Sequence, residues 1–253
     1  MLIVWSDKMN TEDKIVLAYL NQEKQYELKA FLQTVLFFFE NNPALKGIVH
    51  SVKSRMKDPE HLKDKIQRKL KSGKIIDENN LFTVVNDLIG VRVLYLYQDQ
   101  FQLIHNELLK KVDETKDWMF VEAPKAYTWD PETREYFEKL NIHTEVRDTY
   151  YTSVHYVIKP NNELSNITCE TQVRTLFEEI WGEIDHTINY PHPTEIMCVF
   201  ETQNRMKVME EIRRIMPYIK DSDMEELSRQ VLRKLDGMTD KEFAENSLEA
   251  VEE

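Results

Sequence analysis

Apolar residues recur at helical spacing over the first forty positions. Between Thr11 and Asn41 they fall three or four residues apart, and Thr11 precedes two acidic residues as a helix N-cap does. This pattern predicts one long helix or two shorter ones. The run Asn41-Asn42-Pro43 is predicted to end the region, because the residue before a proline is pushed out of the helical conformation.

Apolar and polar residues then alternate with a two-residue period. Between residues 47 and 57 the even positions are mostly apolar and the odd positions carry cations, which predicts a strand with one apolar and one cationic face. The cations are Lys53, Arg55 and Lys57. Asp58 and Pro59 then predict a helix start, with Asp58 as the N-cap and Pro59 in the first helical position.

The rest of the chain alternates between strand and helix patterns. β-Branched and aromatic residues predict strands at Val91–Tyr97, Val154–Ile158 and Ile167–Val173. Helices are predicted at Phe101–Lys111, near Glu132–Leu140, and at Leu176–Asn189, Glu201–Met216 and Met224–Leu235. Apart from its short helix, the polar stretch Asp113–Arg147 is predicted to be a loop.

This order of elements predicts an α+β fold, in which a mixed β-sheet domain is flanked by N- and C-terminal helices. We predict an N-terminal helical segment at residues 1–44, the mixed domain at residues 45–192, and C-terminal helices at residues 193–253. The last stretch is rich in acidic residues and is expected to fray in solvent.

Composition narrows the functional classes. The 253 residues include 33 Lys and Arg against 45 Asp and Glu, a formal net charge of −12, so the surface as a whole is not expected to attract nucleic acid or anionic membranes. Two cysteines are too few for a disulfide framework. The apolar run Leu2–Trp5 is too short for a signal peptide. We therefore expect a cytoplasmic protein that does not bind membranes.

Positive charge is nevertheless concentrated locally. Between Lys46 and Lys74 there are ten Lys and Arg against three acids, a balance of +7. A cationic strand face that leads into a helix N-terminus suits a polyphosphate, because ammonium, guanidinium and backbone N–H groups all bind phosphate oxygens. A solvated basic helix surface is the alternative interpretation.

Two later strands carry chemically useful groups on one face. Strand alternation brings together an acid, an amide and a guanidinium in one of them, and a ring, a hydroxyl and an imidazole in the other. These residues are Glu170, Gln172 and Arg174, and Tyr151, Ser153 and His155. An ion-pair ladder and a buried, hydrogen-bonded Tyr–His pair are the structural alternatives.

A further acid precedes the strand at Val91. Asp87 lies just before it and Arg92 just inside it. A carboxylate here suits Mg²⁺, which takes one or two protein carboxylates and leaves its other positions to water and phosphate oxygens. An Asx-turn at the strand entry is the alternative role for Asp87.

Four segments, taken in chain order, resemble the RelA/SpoT nucleotidyltransferase (alarmone synthetase) domain. They are Arg55–His61 with the following Lys65, Asp87–Arg92, Tyr151–His155 and Glu170–Thr175. The next helix, with Trp181, Asp185-His186 and Asn189-Tyr190-Pro191, is similar to the same family. The resemblance covers residues 45–192 and is closest to synthetase-only small alarmone synthetases.

The resemblance implies an activity: Mg²⁺-dependent transfer of pyrophosphate from ATP to the 3′ hydroxyl of GDP or GTP, giving (p)ppGpp and AMP. On the ATP side it implies that Arg55 and Arg92 sandwich the adenine. Lys57 and Lys65, with Lys53 as a further candidate, would hold the ATP phosphates.

The resemblance also assigns the remaining groups. Asp87 and Glu170 would bind Mg²⁺, and Glu170 would serve as the base for the attacking hydroxyl. Tyr151 would stack on the acceptor base. The other residues around the acceptor would be Ser153, His155, Gln172, Arg174 and Asn189.

The acceptor itself stays open. Many synthetases have a basic, glycine-containing loop before the tyrosine, whereas here Tyr150 replaces the glycine and Arg147 is the only cation between Glu145 and Tyr151. The same chemistry on an adenine nucleotide or on the 3′ end of tRNA, as a growth-arresting toxin, is the alternative. A catalytically silent nucleotide sensor is a second alternative, and the flanking helices leave self-association into a homo-oligomer open.

Overall fold

Six strands form one mixed sheet in the described part of the chain. They are β1 (Val49–Met56), β2 (Ile89–Tyr95), β3 (Trp118–Thr128), β4 (His143–Val146), β5 (Ser153–Pro160) and β6 (Cys169–Thr175). Their order across the sheet is β1-β2-β6-β5-β3-β4. β2 pairs with β6, and β3 with β4, in parallel, while the other neighbours are antiparallel.

The computed structural model describes residues 10–147, 151–163, 165–180 and 182. The chain divides into two compact units, Met1–Gly182 and Glu183–Glu253, and every described residue belongs to the first. The helices predicted at residues 201–216 and 224–235 lie outside the described residues. So does most of the helix predicted at residues 176–189, although residues 176–180 are helical.

Besides the helix that begins at residue 176, six α-helices accompany the strands in the described part of the chain. They are α1 (Thr11–Tyr19), α2 (Gln22–Asn41), α3 (Pro59–Lys71), the short α4 (Leu81–Val84), α5 (Phe101–Leu109) and α6 (Pro131–Lys139). The α+β prediction is therefore confirmed. Among the described residues, no helix is both long and apolar enough to cross a membrane.

The first predicted helical region consists of two helices, but Thr11 is not the N-cap. Asn10 has extended backbone angles and its side chain accepts a hydrogen bond from the backbone N–H of Asp13 at 2.8 Å. Its short amide side chain reaches the free N–H groups of the first turn, so Thr11 becomes the first helical residue. The predicted end of the region is confirmed, because α2 stops at Asn41 before Asn42 and Pro43.

The loop predicted between Asp113 and Arg147 is wrong, since this stretch contains β3 and β4 on either side of the predicted helix α6. Strand β3 does not show regular alternation. It contains Pro124, exposes its centre, and shifts register between Phe120 and Glu122 and again before Lys125. Irregular pairing disrupts the two-residue period from which a strand is recognised.

The sheet has one apolar and one polar face. Helix α2 packs against β1 and β2, and the core includes Val93, Tyr156 and Cys169. Along β2, β5 and β6 the alternate residues face the other side, where the predicted polar groups lie. Strand β2 begins two residues before its prediction because Ile89 pairs with Met56 of β1.

The predicted start of α3 is confirmed and yields a stability prediction. The Asp58 side chain accepts hydrogen bonds from the backbone N–H groups of Glu60 and His61 at 2.9 and 3.1 Å. We expect Asp58→Ala to lower the free energy of unfolding by about 1 kcal/mol, measured by urea denaturation. Asp64→Ala, at an exposed position within α3, is the matched control. An equal loss in both variants would contradict the capping role.

Candidate active site

Cross-strand pairing brings the predicted residues into two adjacent rows on the polar face. In the first row Lys53 of β1 pairs with Arg92 of β2, which pairs with Gln172 of β6, which pairs with His155 of β5. In the next row Arg55 pairs with Gly90. Gly90 in turn pairs with Glu170. Residues that are far apart in sequence therefore meet because the sheet holds their strands in register.

A cavity of about 170 Å³ lies within these rows. It is lined by Lys53, Ser54, Arg55, Gly90, Val91, Arg92, Glu170 and Gln172. A Cβ placed on Gly90 would contact Arg55 Nε at 3.5 Å, an ordinary van der Waals distance, so a larger side chain would extend into the cavity. The absence of a side chain at position 90 keeps this space between Arg55 and the sheet open.

Asp87 lies beyond the end of this cavity and binds two lysines. Lys57 Nζ is 2.9 Å from one carboxylate oxygen and Lys65 Nζ is 2.7 Å from the other. Burial raises the pKa of Asp87, but the hydrogen bonds and charges of Lys65 and Lys57 outweigh this effect, so the pKa is lowered. The carboxylate is therefore ionised at neutral pH.

The backbone around Lys57 is fixed from both sides. Its N–H donates to the carbonyl of Leu88 at 2.8 Å, and its own carbonyl accepts from the hydroxyl of Tyr19 in α1 at 2.6 Å. These bonds tie the end of β1 to the segment that precedes β2. They explain why Lys57 and Asp87 meet although 30 residues separate them.

Glu170 is held on the other side of the cavity by its neighbours. Gln172 Nε2 donates to one oxygen at 3.0 Å, and His155 Nδ1 lies 3.6 Å from the other. Burial raises the pKa of Glu170 and the charge of Asp87 acts in the same direction. The imidazole of His155 and the amide of Gln172 outweigh both, so the pKa is lowered.

Tyr151 contacts His155, the neighbour of Glu170, and also Arg174. The hydroxyl of Tyr151 and Nε2 of His155 share a hydrogen bond of 2.8 Å. The guanidinium of Arg174 lies over the Tyr151 ring, 5.6 Å from its centroid, within cation–π range. Ser153, also on this face by the alternation of β5, is fully buried. Burial is the main reason that the pKa of Tyr151 is raised.

One residue of the site was missed by the sequence analysis. Glu179 lies in the helix that begins at residue 176, and its side chain is only 2% exposed. Its carboxylate contacts Lys53 Nζ at 2.8 Å, Arg92 Nη1 at 3.1 Å and the guanidinium of Arg174. The only signal for Glu179 was an acid about one turn after the strand of Glu170, Gln172 and Arg174, and such acids are common.

The pKa of Glu179 follows from this environment. Burial raises it, but Lys53, Arg174 and Arg92 outweigh burial and lower it. Asn189, the last of the predicted acceptor residues, lies outside the described residues.

The site contains a donor set that fits Mg²⁺ bound together with a nucleotide. Asp87 and Glu170 supply hard carboxylate oxygens, and Mg²⁺ commonly combines one or two carboxylates with phosphate oxygens and water. Among the described residues no group of three or more His, Cys, Asp and Glu could hold a metal ion on its own.

Comparison with known proteins identifies the family of the chain. A family model described as "Region found in RelA / SpoT proteins" matches residues 54–195, more than half of the chain. The chain belongs to the RelA/SpoT family. A second family model, described as "Putative transposon-transfer assisting protein", matches residues 193–250. No curated protein matches the chain.

Several solved structures are similar to the chain. Small alarmone synthetase 1 from Bacillus subtilis, bound to its product pppGpp, is 17% identical, with a TM-score of 0.49 over 82% of this chain and 98% of that chain. A GTP pyrophosphokinase family protein from Streptococcus pneumoniae is 21% identical, with a TM-score of 0.49 over 90% and 97%. Small alarmone synthetase 2 from Bacillus subtilis is 17% identical, with a TM-score of 0.44 over 82% and 98%.

The ion pairs of Asp87 predict how stability depends on pH. Because the pKa of Asp87 is lowered in the folded state, its pairs stabilise the fold above about pH 4 and are lost as the pH falls through the folded-state pKa. We expect Asp87→Asn to be less stable than wild type at pH 7, with the difference shrinking below about pH 4. Urea unfolding between pH 7 and pH 3 measures this difference.

The control for this prediction is Asp64→Asn, which removes an exposed carboxylate from α3. It separates the loss of one negative charge from the loss of the Asp87 ion pairs. A difference between wild type and Asp87→Asn that stays constant from pH 7 to pH 3 would show that the lysine pairs do not contribute to stability.

Proposed function

We propose that this protein transfers pyrophosphate from ATP to the 3′ hydroxyl of GDP or GTP, producing ppGpp or pppGpp and AMP with the help of Mg²⁺. The observation that carries the proposal is the single cavity in which Arg55, Arg92, Lys53 and Glu170 converge in a chain of the RelA/SpoT family. The site thus offers cations for phosphates and a carboxylate for the attacking hydroxyl at one place. Such a reaction belongs where ATP and GTP are abundant, in the cytoplasm.

The donor side follows the direction of β1. Arg55 and Arg92 lie on adjacent strands and line the cavity, so their planar guanidinium groups are available to an adenine ring. Lys57 follows at the end of β1 and meets Lys65 at Asp87. An ATP molecule with its adenine at the arginines would direct its phosphates toward these two lysines.

The proposed reaction forms one bond and breaks one. The 3′ oxygen of the acceptor attacks the β-phosphorus of ATP, the bond from that phosphorus to the α–β bridging oxygen breaks, and AMP leaves. The proton of the 3′ hydroxyl passes to a carboxylate oxygen of Glu170. Bound Mg²⁺, held by Asp87 and Glu170, would neutralise charge on the phosphate oxygens.

The surroundings of Glu170 suit this role. One of its oxygens accepts from Gln172 at 3.0 Å, which fixes the plane of the carboxylate. Its lowered pKa keeps it ionised, as a metal ligand requires, but also makes it a weak base. We therefore assign to Glu170 a large share of orientation and charge stabilisation in addition to proton acceptance.

The acceptor side is proposed to lie at Tyr151. The guanidinium of Arg174 lies over the Tyr151 ring, and His155 shares a hydrogen bond with the Tyr151 hydroxyl. These two contacts hold the ring in a fixed orientation. A fixed aromatic ring can stack on the base of an acceptor nucleotide. Gln172 and Ser153 lie on the same sheet face and complete the part of the proposed acceptor set that the structure describes.

Product analysis tests the whole proposal. The protein is incubated with ATP and Mg²⁺ and, in parallel, with GDP, GTP, ADP or deacylated tRNA, with EDTA as the metal control. We expect AMP and a 3′-pyrophosphorylated guanine nucleotide in equal amounts, detected by mass spectrometry. Absence of AMP would refute the transferase proposal, and product formed only on ADP or tRNA would refute the guanine acceptor.

The first variant tests the role of Glu170. Glu170→Gln replaces a carboxylate with an amide of nearly the same shape, so we expect kcat to fall by about 10²-fold or more while the fold is kept. AMP release measures the rate and circular dichroism monitors folding. Glu163→Gln, at an exposed position between β5 and β6, is the control, and activity of Glu170→Gln within a few-fold of wild type would contradict the assignment.

A second pair of variants separates the two nucleotides. Arg92→Lys keeps the charge but loses the planar face, so we expect a higher KM for ATP. Tyr151→Ala removes a stacking ring worth roughly 1–3 kcal/mol in base contacts, so we expect a higher KM for the acceptor. Steady-state kinetics with each nucleotide varied in turn measure both constants.

The control for this pair is Tyr26→Ala, which removes an exposed ring from α2 outside the site. If Arg92→Lys and Tyr151→Ala raise the KM of the same nucleotide, the division into donor and acceptor sides is wrong. Unfolding of Tyr151→Ala alone would favour a structural role for this half-buried tyrosine.

A further inference from the structure

Glu179 connects the proposed donor side with the proposed acceptor side. Its buried carboxylate binds Lys53 of β1, Arg92 of β2 and Arg174 of β6, so three adjacent strands contribute a cation to one acid. Lys53 and Arg92 line the donor cavity, whereas Arg174 lies over Tyr151. No other acid among the ion pairs of the described residues binds cations from three strands.

Glu179 affects how the planar guanidinium groups of Arg92 and Arg174 are oriented. A guanidinium donates hydrogen bonds within its plane and stacks through its faces. Glu179 contacts one terminal nitrogen of Arg92 and one of Arg174, which restrains the orientation of both groups. Arg174 already directs its cation toward the ring of Tyr151, and Arg92 retains 31% exposure of its side chain toward the cavity.

We propose that Glu179 is a positioning residue that orients the stacking groups of both nucleotide subsites at once, without touching either nucleotide. This inference rests on the proposed function for the identity of the two nucleotides. A residue that only stabilised the fold would change the fraction of folded protein. A positioning residue changes the affinity of each folded molecule, and it does so for both ligands.

Equilibrium binding tests the inference without requiring turnover. Isothermal titration calorimetry with Mg²⁺ and either the ATP analogue AMPCPP or GDP gives a dissociation constant for each side. We expect Glu179→Gln to raise both constants by about three- to tenfold, in the range of a weakened cation–π or stacking contact. Arg92→Lys is expected to raise the constant for AMPCPP alone.

A matched control is available outside the site. The carboxylate of Glu107 is also largely buried and binds Lys110 and Asn42. Glu107→Gln removes a comparable charge and is expected to leave both dissociation constants unchanged. Irreversibly unfolded protein lowers the number of binding sites per molecule, whereas reversible unfolding raises the apparent dissociation constant by the reciprocal of the folded fraction. Circular dichroism of each variant gives that fraction, and the dissociation constants are compared after correction for it.

A second variant covers the case in which Glu179→Gln does not fold, since it leaves three cations without their shared acid. Glu179→Asp keeps the charge but withdraws the carboxylate by one methylene group. We expect it to raise both dissociation constants by a smaller factor, about two- to threefold. Wild-type affinity for both nucleotides in the folded Asp variant, or in the folded Gln variant, overturns the inference.

The remaining outcomes are equally decisive. Weakening of only one nucleotide overturns the inference, because a shared positioning residue must affect both sides. If wild type binds AMPCPP and GDP but makes no product, the proposed function fails, while the binding measurements still test the positioning role of Glu179. If wild type binds neither nucleotide, both the proposed function and the inference fail.

Discussion

The parallel pairing of β2 with β6 is the constraint on which the site depends. It places Gly90 beside Glu170 and Arg92 beside Gln172, so the donor cations and the proposed base share one face of the sheet. Because side chains alternate along a strand, a slip of one residue would turn Glu170 toward the core and a buried residue toward the cavity. The apolar residues on the opposite face, such as Val91 and Val173, fix this register by their burial. The packing of the core therefore also fixes the geometry of the site.

Charge balance is the second organising feature. Two acids of the site each bind several cations: Asp87 binds two lysines, and Glu179 binds a lysine and two arginines. Unpaired cations gathered this closely would repel one another, and buried ones would lose hydration, so the acids stabilise the arrangement before any nucleotide is bound. Nucleotide phosphates would supply negative charge to the same cations. This local arrangement explains how a chain of net charge −12 can present a polyanion site.

Regular local patterns made the donor side predictable from sequence. The alternation of β1, the Asp58 cap and the polar face of β6 each follow from one short segment. Glu179 was not predictable in this way, because its role arises only where β1, β2, β6 and the following helix meet, and nothing in its own neighbourhood distinguishes it from a solvated acid. Strand β3 was missed for a different reason, since Pro124 and two register shifts remove the alternation by which a strand is recognised. The predicted N-cap, Thr11, and the observed N-cap, Asn10, differ by one residue, because both side chains can accept a hydrogen bond from the first turn of the helix.

The same contrast separates the two halves of the site. The proposed donor residues lie on or beside β1, α3, β2 and β6, whose regular geometry is fixed by the core. The acceptor side lies toward β5 and the irregular β3, where Tyr127 packs edge-on against His155 at 4.8 Å and the guanidinium of Arg147 lies 4.4 Å from the Tyr127 ring centroid. Lys125 and Arg147, the cations nearest this side in β3 and after β4, both contact Glu145, which reduces the positive charge they offer to a phosphate. Because the proposed acceptor side consists of such irregular, partly neutralised groups, the sequence predicts the donor chemistry more narrowly than the acceptor.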